Sequence, residues 1–272
     1  MMGAMRLMRE VRCVADAGER DAPGFNSWAG GAAGDRLALF GVLRATVSGA
    51  VDETTGYLCD IRHVDALLRG VAVPALVGSV AADDRHAACA APSIAAVLRD
   101  VFRRVDDVCP PAFTLDALEF FVSPYARFFV SSGVGDMVGL TRSFEFSAAH
   151  RLGCPDLSDE ENRRLFGKCS HPGGHGHNYV LEVTVRGTPS RETGLIVALS
   201  RLDAIVKARV VDAFDHKNLN VDCAEFAELN PTVENIARVI WRRLHGALDP
   251  VELAVVRVWE TPKTCAEYSG EE

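Results

Sequence analysis

The chain has 272 residues, 29 of them Lys or Arg and 37 Asp or Glu, for a formal charge of −8 at pH 7. With 48% hydrophobic and 24% charged residues it has a globular composition with room for one or two domains, far from a disordered one. The acidic balance argues against a dedicated nucleic-acid binder, which depends on clustered cations. No apolar run approaches the ~20 residues a membrane helix requires. The start, MMGAMRLMREVRC, carries charges where a secretory leader would place its apolar block. Eight cysteines without a CxxC pair predict free thiols and a reducing, cytoplasmic setting.

Residues 1–34 lack apolar periodicity, end in Gly/Ala-rich text and read as a loosely ordered tail. Beyond them, 35–132 and 133–272 read as two copies of one unit, linked by the soft stretch SSGVGDMVG at 131–139. LRATVSGAVDETTGYLCDIRHVDALLR (43–69) and LEVTVRGTPSRETGLIVALSRLDAIVK (181–207) share eight identities without a gap, 138 residues apart. PSIAAVLRDVFRRV at 92–105 matches PTVENIARVIWRRL at 231–244 with a one-residue slip, and LEFFVSP at 118–124 meets VRVWETP at the original offset.

Each copy predicts the order β-β-α-α-β-β, an α+β unit with a four-stranded antiparallel sheet. In the second copy TRSFEFSA and YVLEVTVRG alternate as half-buried strands do. Ser200 reads as the cap of a helix burying Leu202, Ile205, Val206, Val210 and Ala213. Thr232 caps a second helix, with Val233, Ile236, Ala237, Ile240, Trp241 and Leu244 inward. LAVVRVW and CAEYS are the last strands. Four strands leave two open edges, so units are expected to join edge to edge.

The chemistry concentrates in CSHPGGHGHNY. His175 and His177 stand two apart where a strand begins, so both imidazoles share one face. His150 ends FEFSAAH and supplies a third nitrogen. Three nitrogens with an open fourth position suit a catalytic zinc; the bland alternative is a polar, Gly-rich loop. Cys169 follows Gly167 and Lys168. It reads as an activated thiolate base, as a small buried side chain, or as a fourth ligand closing a structural site. Asp215 and His216 are adjacent, a pairing that orients an imidazole for proton transfer or is simply solvated. Glu234 falls in a first helical turn, where the dipole alone favours it. Glu260 follows an apolar strand and needs donors if buried.

With SAAHRL, LFGKCSHPGGHGHNY, TGLIVALSRLDAI, FDHKNLN, NPTVENIA and VRVWETP in that order, residues 142–272 resemble the 6-pyruvoyl-tetrahydropterin synthase family. That family includes the bacterial 6-carboxytetrahydropterin synthases of queuosine biosynthesis. The resemblance implies a tunnelling fold (T-fold), in which units join their sheets into a β-barrel. It implies zinc on His150, His175 and His177, Cys169 as the proton-abstracting base, and Asp215 with His216 as a relay. Glu260 would anchor a pterin ring, with Thr232 and Glu234 lining the pocket. The implied substrate is 7,8-dihydroneopterin triphosphate, handled by a lyase without a redox cofactor. The product is 6-pyruvoyl-tetrahydropterin, or 6-carboxytetrahydropterin with acetaldehyde. GKCSHPGGHGH has the longer spacing of the pyruvoyl-forming members, whereas NPTVEN and VWETP resemble the carboxy-forming ones. Val233 stands where many members carry Thr.

By the repeat register, Leu37 and Leu39 take the places of His175 and His177, Ala95 that of Glu234, and Val122 that of Glu260. His63 and His86 fall outside the motif positions. The first copy is therefore expected to be a structural pseudo-subunit. A homo-oligomer is expected, a trimer of two-unit chains being one arrangement. The alternative function is a non-catalytic pterin- or zinc-binding assembly protein of the same fold.

Overall fold

The computed structural model describes residues 5–15, 39–81 and 93–270. The expectations placed on Leu37, His86 and most of 1–34 lie outside the described residues. The chain divides into two compact units, one running to Leu140 and including Gly187–Ile196, the other comprising Thr141–Arg186 and Val197 onward. No helix among the described residues is long and apolar enough to cross a membrane.

The first unit opens with β1 (Met5–Ala15), where the sequence predicts a tail. β1 pairs antiparallel along its whole length with β2 (Leu39–Gly49). Val11 and Cys13 are buried from the same face, and Arg9 shares their row. Its guanidinium is bonded to Asp65 (Nε to Oδ1, 2.9 Å). A charge in the inward row is what hides this strand from an alternation test. There follow α1 (Ile61–Leu67), a π-helical turn at Leu68–Ala72, α2 (Val73–Ala81) and α3 (Ile94–Asp107). Strands β3 (Thr114–Ser123) and β4 (Ala126–Ser131) complete an antiparallel sheet in chain order. Its core joins Leu43 and Val47 of β2 and Leu118 of β3 to Leu98, Val101 and Val105 of α3, all essentially without exposure.

The second unit starts on β5 (Val138–His150), so strand has already begun where the sequence predicts a linker ending at 139. Next come α4 (Asp159–Phe166), a 3-10 turn at Gly167–Ser170 and β6 (His175–Gly187). Then follow α5 (Leu199–Val206), a π-helical turn at Lys207–Val211 and α6 (Asp212–Phe214). β7 (Lys217–Asn218) and α7 (Leu219–Asp222) precede α8 (Val233–Leu244), and β8 (Glu252–Thr261) and β9 (Thr264–Tyr268) close the chain. The sheet order is β5-β6-β8-β9, with β7 paired in parallel to the end of β5. Three short elements, α4, β7 and α7, go beyond the predicted order. Helix α5 is preceded by Ala198 rather than capped by Ser200, which lies in its first turn. Thr232 caps α8 as expected, its hydroxyl accepting from the Asn235 N–H at 3.3 Å. Trp241 is half-buried rather than inward, its ring set edge-on against Tyr268 of β9 at 5.6 Å.

Irregularities of the first unit recur in the second at the offset of the sequence repeat. The β2–β3 register slips at Thr46/Val47 and the β6–β8 register at Thr184/Val185. The β3–β4 pair slips at Phe121/Ser123 and the β8–β9 pair at Trp259/Thr261. Such slips bend and twist a sheet, so each sheet is curved at matching positions. The Arg9–Asp65 pair has its counterpart in Arg142–Asp203, with contacts of 3.0 and 2.7 Å.

Candidate metal and catalytic site

The site is built where β5 ends and β6 begins. Phe146, Ala148 and His150 alternate into the buried face of β5, and His150 is completely buried. On β6 the same alternation puts His175, His177, Tyr179 and Leu181 on one face. Gly174 makes the approach possible. Its φ of +68° favours glycine, and a Cβ there would lie 2.9 Å from the His150 carbonyl oxygen.

Donor atoms of His150, His175 and His177 all lie within 4.8 Å of one another. The Nε2 atoms of His150 and His175 are 3.1 Å apart. His150 Nδ1 is 2.8 Å from the Pro231 carbonyl oxygen, which can only accept. Nδ1 therefore carries the proton, leaving the Nε2 lone pair aimed into the cluster. His177 Nε2 and His175 Nδ1 are buried without a hydrogen-bond partner. Each such orphan costs about 1–3 kcal/mol, and a cation accepting the His177 lone pair would remove that cost. Burial pushes the His150 pKa down, as does the neighbouring charge of His175; burial and His177 do the same to His175. Both shifts favour the neutral ring, the form that ligates a metal. Three imidazole nitrogens are a donor set suited to zinc.

Glu260, at the end of β8, brings Oε1 to 3.4 Å from His150 Nε2 and 3.6 Å from His177 Nε2. It is half-buried, as its place after an apolar strand predicts. The Pro231 carbonyl brings the start of α8 to the same spot, so Thr232 stands one residue away with its hydroxyl committed to the helix cap. Glu234 is exposed in the first turn of α8, a position the helix dipole favours.

Cys169 lies half-buried on the 3-10 turn before His175. Gly167 starts that turn at φ +56°, ψ −127°, a backbone state essentially reserved for glycine. The Cys169 carbonyl accepts from the Leu152 N–H at 2.8 Å, fixing the turn against the segment after His150. Burial and the nearby Glu260 and Cys169 charges raise the Tyr179 phenol well above its usual range.

Asp215 and His216 form the expected pair, His216 Nδ1 lying 2.8 Å from Asp215 Oδ2. Asp215 Oδ1 accepts from the Ser147 N–H at 2.8 Å, and this bond, followed by that to His216, holds its carboxyl below the usual range. His216 has a φ of +57° and a largely exposed ring. It shares with His177, Ser147, Asn178 and Lys217 the lining of a cavity of about 470 Å³. The structure thus gathers the three histidines and Glu260, connects His177 with His216 through that cavity, and leaves Glu234 at the surface. Sequence reading missed the Pro231 carbonyl and Tyr179. The period-two alternation that finds His177 from His175 also reaches Tyr179.

Comparison with known proteins points one way. The model of the family described as 6-pyruvoyl tetrahydropterin synthase matches residues 139–271. The 6-pyruvoyl tetrahydrobiopterin synthase of Homo sapiens is 43% identical over 132 residues, which cover 48% of this chain and 91% of that protein. That of Drosophila melanogaster is 44% identical over 132 residues, covering 48% and 79%. A probable 6-carboxy-5,6,7,8-tetrahydropterin synthase of Halobacterium salinarum is 34% identical over 141 residues, covering 47% and 85%. The solved structure of the Caenorhabditis elegans 6-pyruvoyl tetrahydropterin synthase is 38% identical, covers 50% of this chain and 96% of its own, and superposes with a TM-score of 0.47.

Proposed function

Because the chain belongs to the 6-pyruvoyl tetrahydropterin synthase family of lyases, we propose that its second unit converts 7,8-dihydroneopterin triphosphate at a zinc site, releasing triphosphate. The observation that carries this reading is the convergence of three imidazoles, their donor atoms within 4.8 Å of one another, with the Glu260 carboxylate beside them. Zinc on these nitrogens supplies Lewis acidity toward the oxygens of the substrate side chain, making the adjacent C–H bonds more acidic.

The protein's own groups do the rest. Glu260 accepts from the amino and ring N–H groups of the pterin, a charge-assisted pair that fixes its orientation. Cys169, as thiolate, takes a proton from the side-chain carbon. His216, oriented by Asp215, returns a proton as the triphosphate oxygen departs. The two-electron changes are internal to the substrate, so no redox cofactor enters. The higher identity to pyruvoyl-forming relatives favours 6-pyruvoyl-tetrahydropterin as product; the carboxy-forming reading would release acetaldehyde as well.

The matched bends of the two sheets and the repeated Arg–Asp pair support the reading of the first unit as a duplicated copy. Val122 stands there where the second unit has Glu260, so this copy is assigned an architectural role within a homo-oligomer. The test is to incubate zinc-loaded protein with 7,8-dihydroneopterin triphosphate and follow triphosphate and acetaldehyde separately. Triphosphate alone is expected. Stoichiometric acetaldehyde would move the assignment to the carboxy-forming reaction, and neither product from folded, zinc-loaded protein would leave a non-catalytic binder.

A further inference from the structure

Tyr179 is among the largest completely buried side chains of the protein, and the chemistry above does not use it. It lies on β6 two residues beyond His177, on the same face. Its ring stacks on Phe146, with centroids 5.0 Å apart and planes at 16°. It meets His150 edge-on at 6.2 Å and 90°, and His177 at 5.6 Å and 63°. One aromatic ring therefore packs against two of the three metal-ligating imidazoles.

A phenyl ring would do that packing equally well, and burying a hydroxyl is costly unless it is bonded. The Tyr179 hydroxyl lies 3.4 Å from His150 Nδ1, the atom that also meets the Pro231 carbonyl at 2.8 Å. The Nδ1–H thus has two acceptors, a short one from the start of α8 and a longer one from β6. Two partners on different elements restrict the imidazole's rotation about its Cβ–Cγ bond, while the Pro231 carbonyl, which can only accept, holds the tautomer whose Nε2 is free. Partners of this kind beyond the direct ligands typically account for ~10–100-fold in metal affinity.

We propose that Tyr179 is a positioning residue for the metal, its hydroxyl and ring together fixing the aim of His150 Nε2. The inference rests on the zinc reading and extends it to a residue that holds a ligand rather than being one. It is tested with Tyr179→Phe in the full-length protein, which keeps the ring and removes only the hydroxyl. Zinc affinity is measured by competition with a chromophoric chelator, and cobalt(II) replaces zinc to report ligand geometry through its d–d absorption.

The expected result is a zinc Kd raised about 10-fold, with shifted cobalt bands and an unchanged Tm for the metal-free protein. The unchanged Tm separates positioning from a packing defect. Wild-type affinity and an unaltered cobalt spectrum in Y179F would overturn the inference and leave the zinc reading intact. Failure of the wild-type protein to take up either metal would overturn both.

Discussion

His150 carries the heaviest structural commitment of the three clustered histidines. It is fully buried, and its second nitrogen is given to a backbone carbonyl, whereas His175 Nδ1 has no partner. His150→Ala should abolish stoichiometric zinc binding, and metal analysis after dialysis checks it. Glu260→Gln separates binding of metal from binding of substrate. It removes the charge and keeps the shape, so zinc content should stay at the wild-type level while kcat/KM falls about 10²–10³-fold. Loss of zinc from E260Q would instead make Glu260 part of the metal's own shell. The common face of His175 and His177 was legible because a two-residue period is shared by sequence and strand. Glu234 was not separable from a helix-capping acid, because the dipole favours a carboxylate in a first turn whether or not a ligand lies nearby.

At the scale of elements, β1 is the instructive case. Its inward row contains Arg9, and the sequence gives no hint that Asp65, 56 residues away, will meet it at 2.9 Å. Arg69 reaches the other oxygen of Asp65 at the same distance. Burial pushes the Asp65 carboxyl up, but bonding from Arg9 and the charge of Arg69 together outweigh it, leaving the pKa below the ordinary value. A folded pKa below the unfolded one stabilises above the usual carboxylate range, and that stability is lost as pH falls through the folded pKa. Asp65→Asn should therefore cost about 1 kcal/mol at neutral pH, and the gap to wild type should close in acid. Urea midpoints at pH 7 and pH 3 test the sign. Gly174→Ala is a second element-scale prediction. A methyl 2.9 Å from the His150 carbonyl, on a left-handed backbone, forces the β5 end and the β6 start apart. Zinc affinity should fall with little change elsewhere, as the same chelator competition would report.

For the whole molecule, the main strands and helices of the second unit were legible because their hydrophobic periods are long and regular, whereas the first unit's opening strand β1 was read as a tail. The short elements α4, β7 and α7 were not legible, since two to eight residues carry too little period to read. The cluster of side chains that could hold a metal, found among the described residues, lies in the second unit. Metal analysis is accordingly expected to return one zinc per 272-residue chain, and two would show that the first unit holds a site of its own. Within their units β1 and β9 each pair with a neighbour on one side. Eleven residues of β1, with Met5 and Met8 more than half exposed, form an edge that native proteins seldom leave uncovered. Light scattering should find an oligomer, and a stable monomer would contradict the assembly expected from these edges.

The paired register slips have a use outside the reaction. Both sheets bend at matching positions, yet Glu260 stands in one and Val122 in the other. The curvature is therefore not something the chemistry demands; a unit without that carboxylate keeps it. The first unit thus offers a frame of matching bends against which the second can be compared. Positions alike in both units answer to the shared bends, and those that differ, as Val122 and Glu260 do, are the ones in which the two units can differ in chemistry.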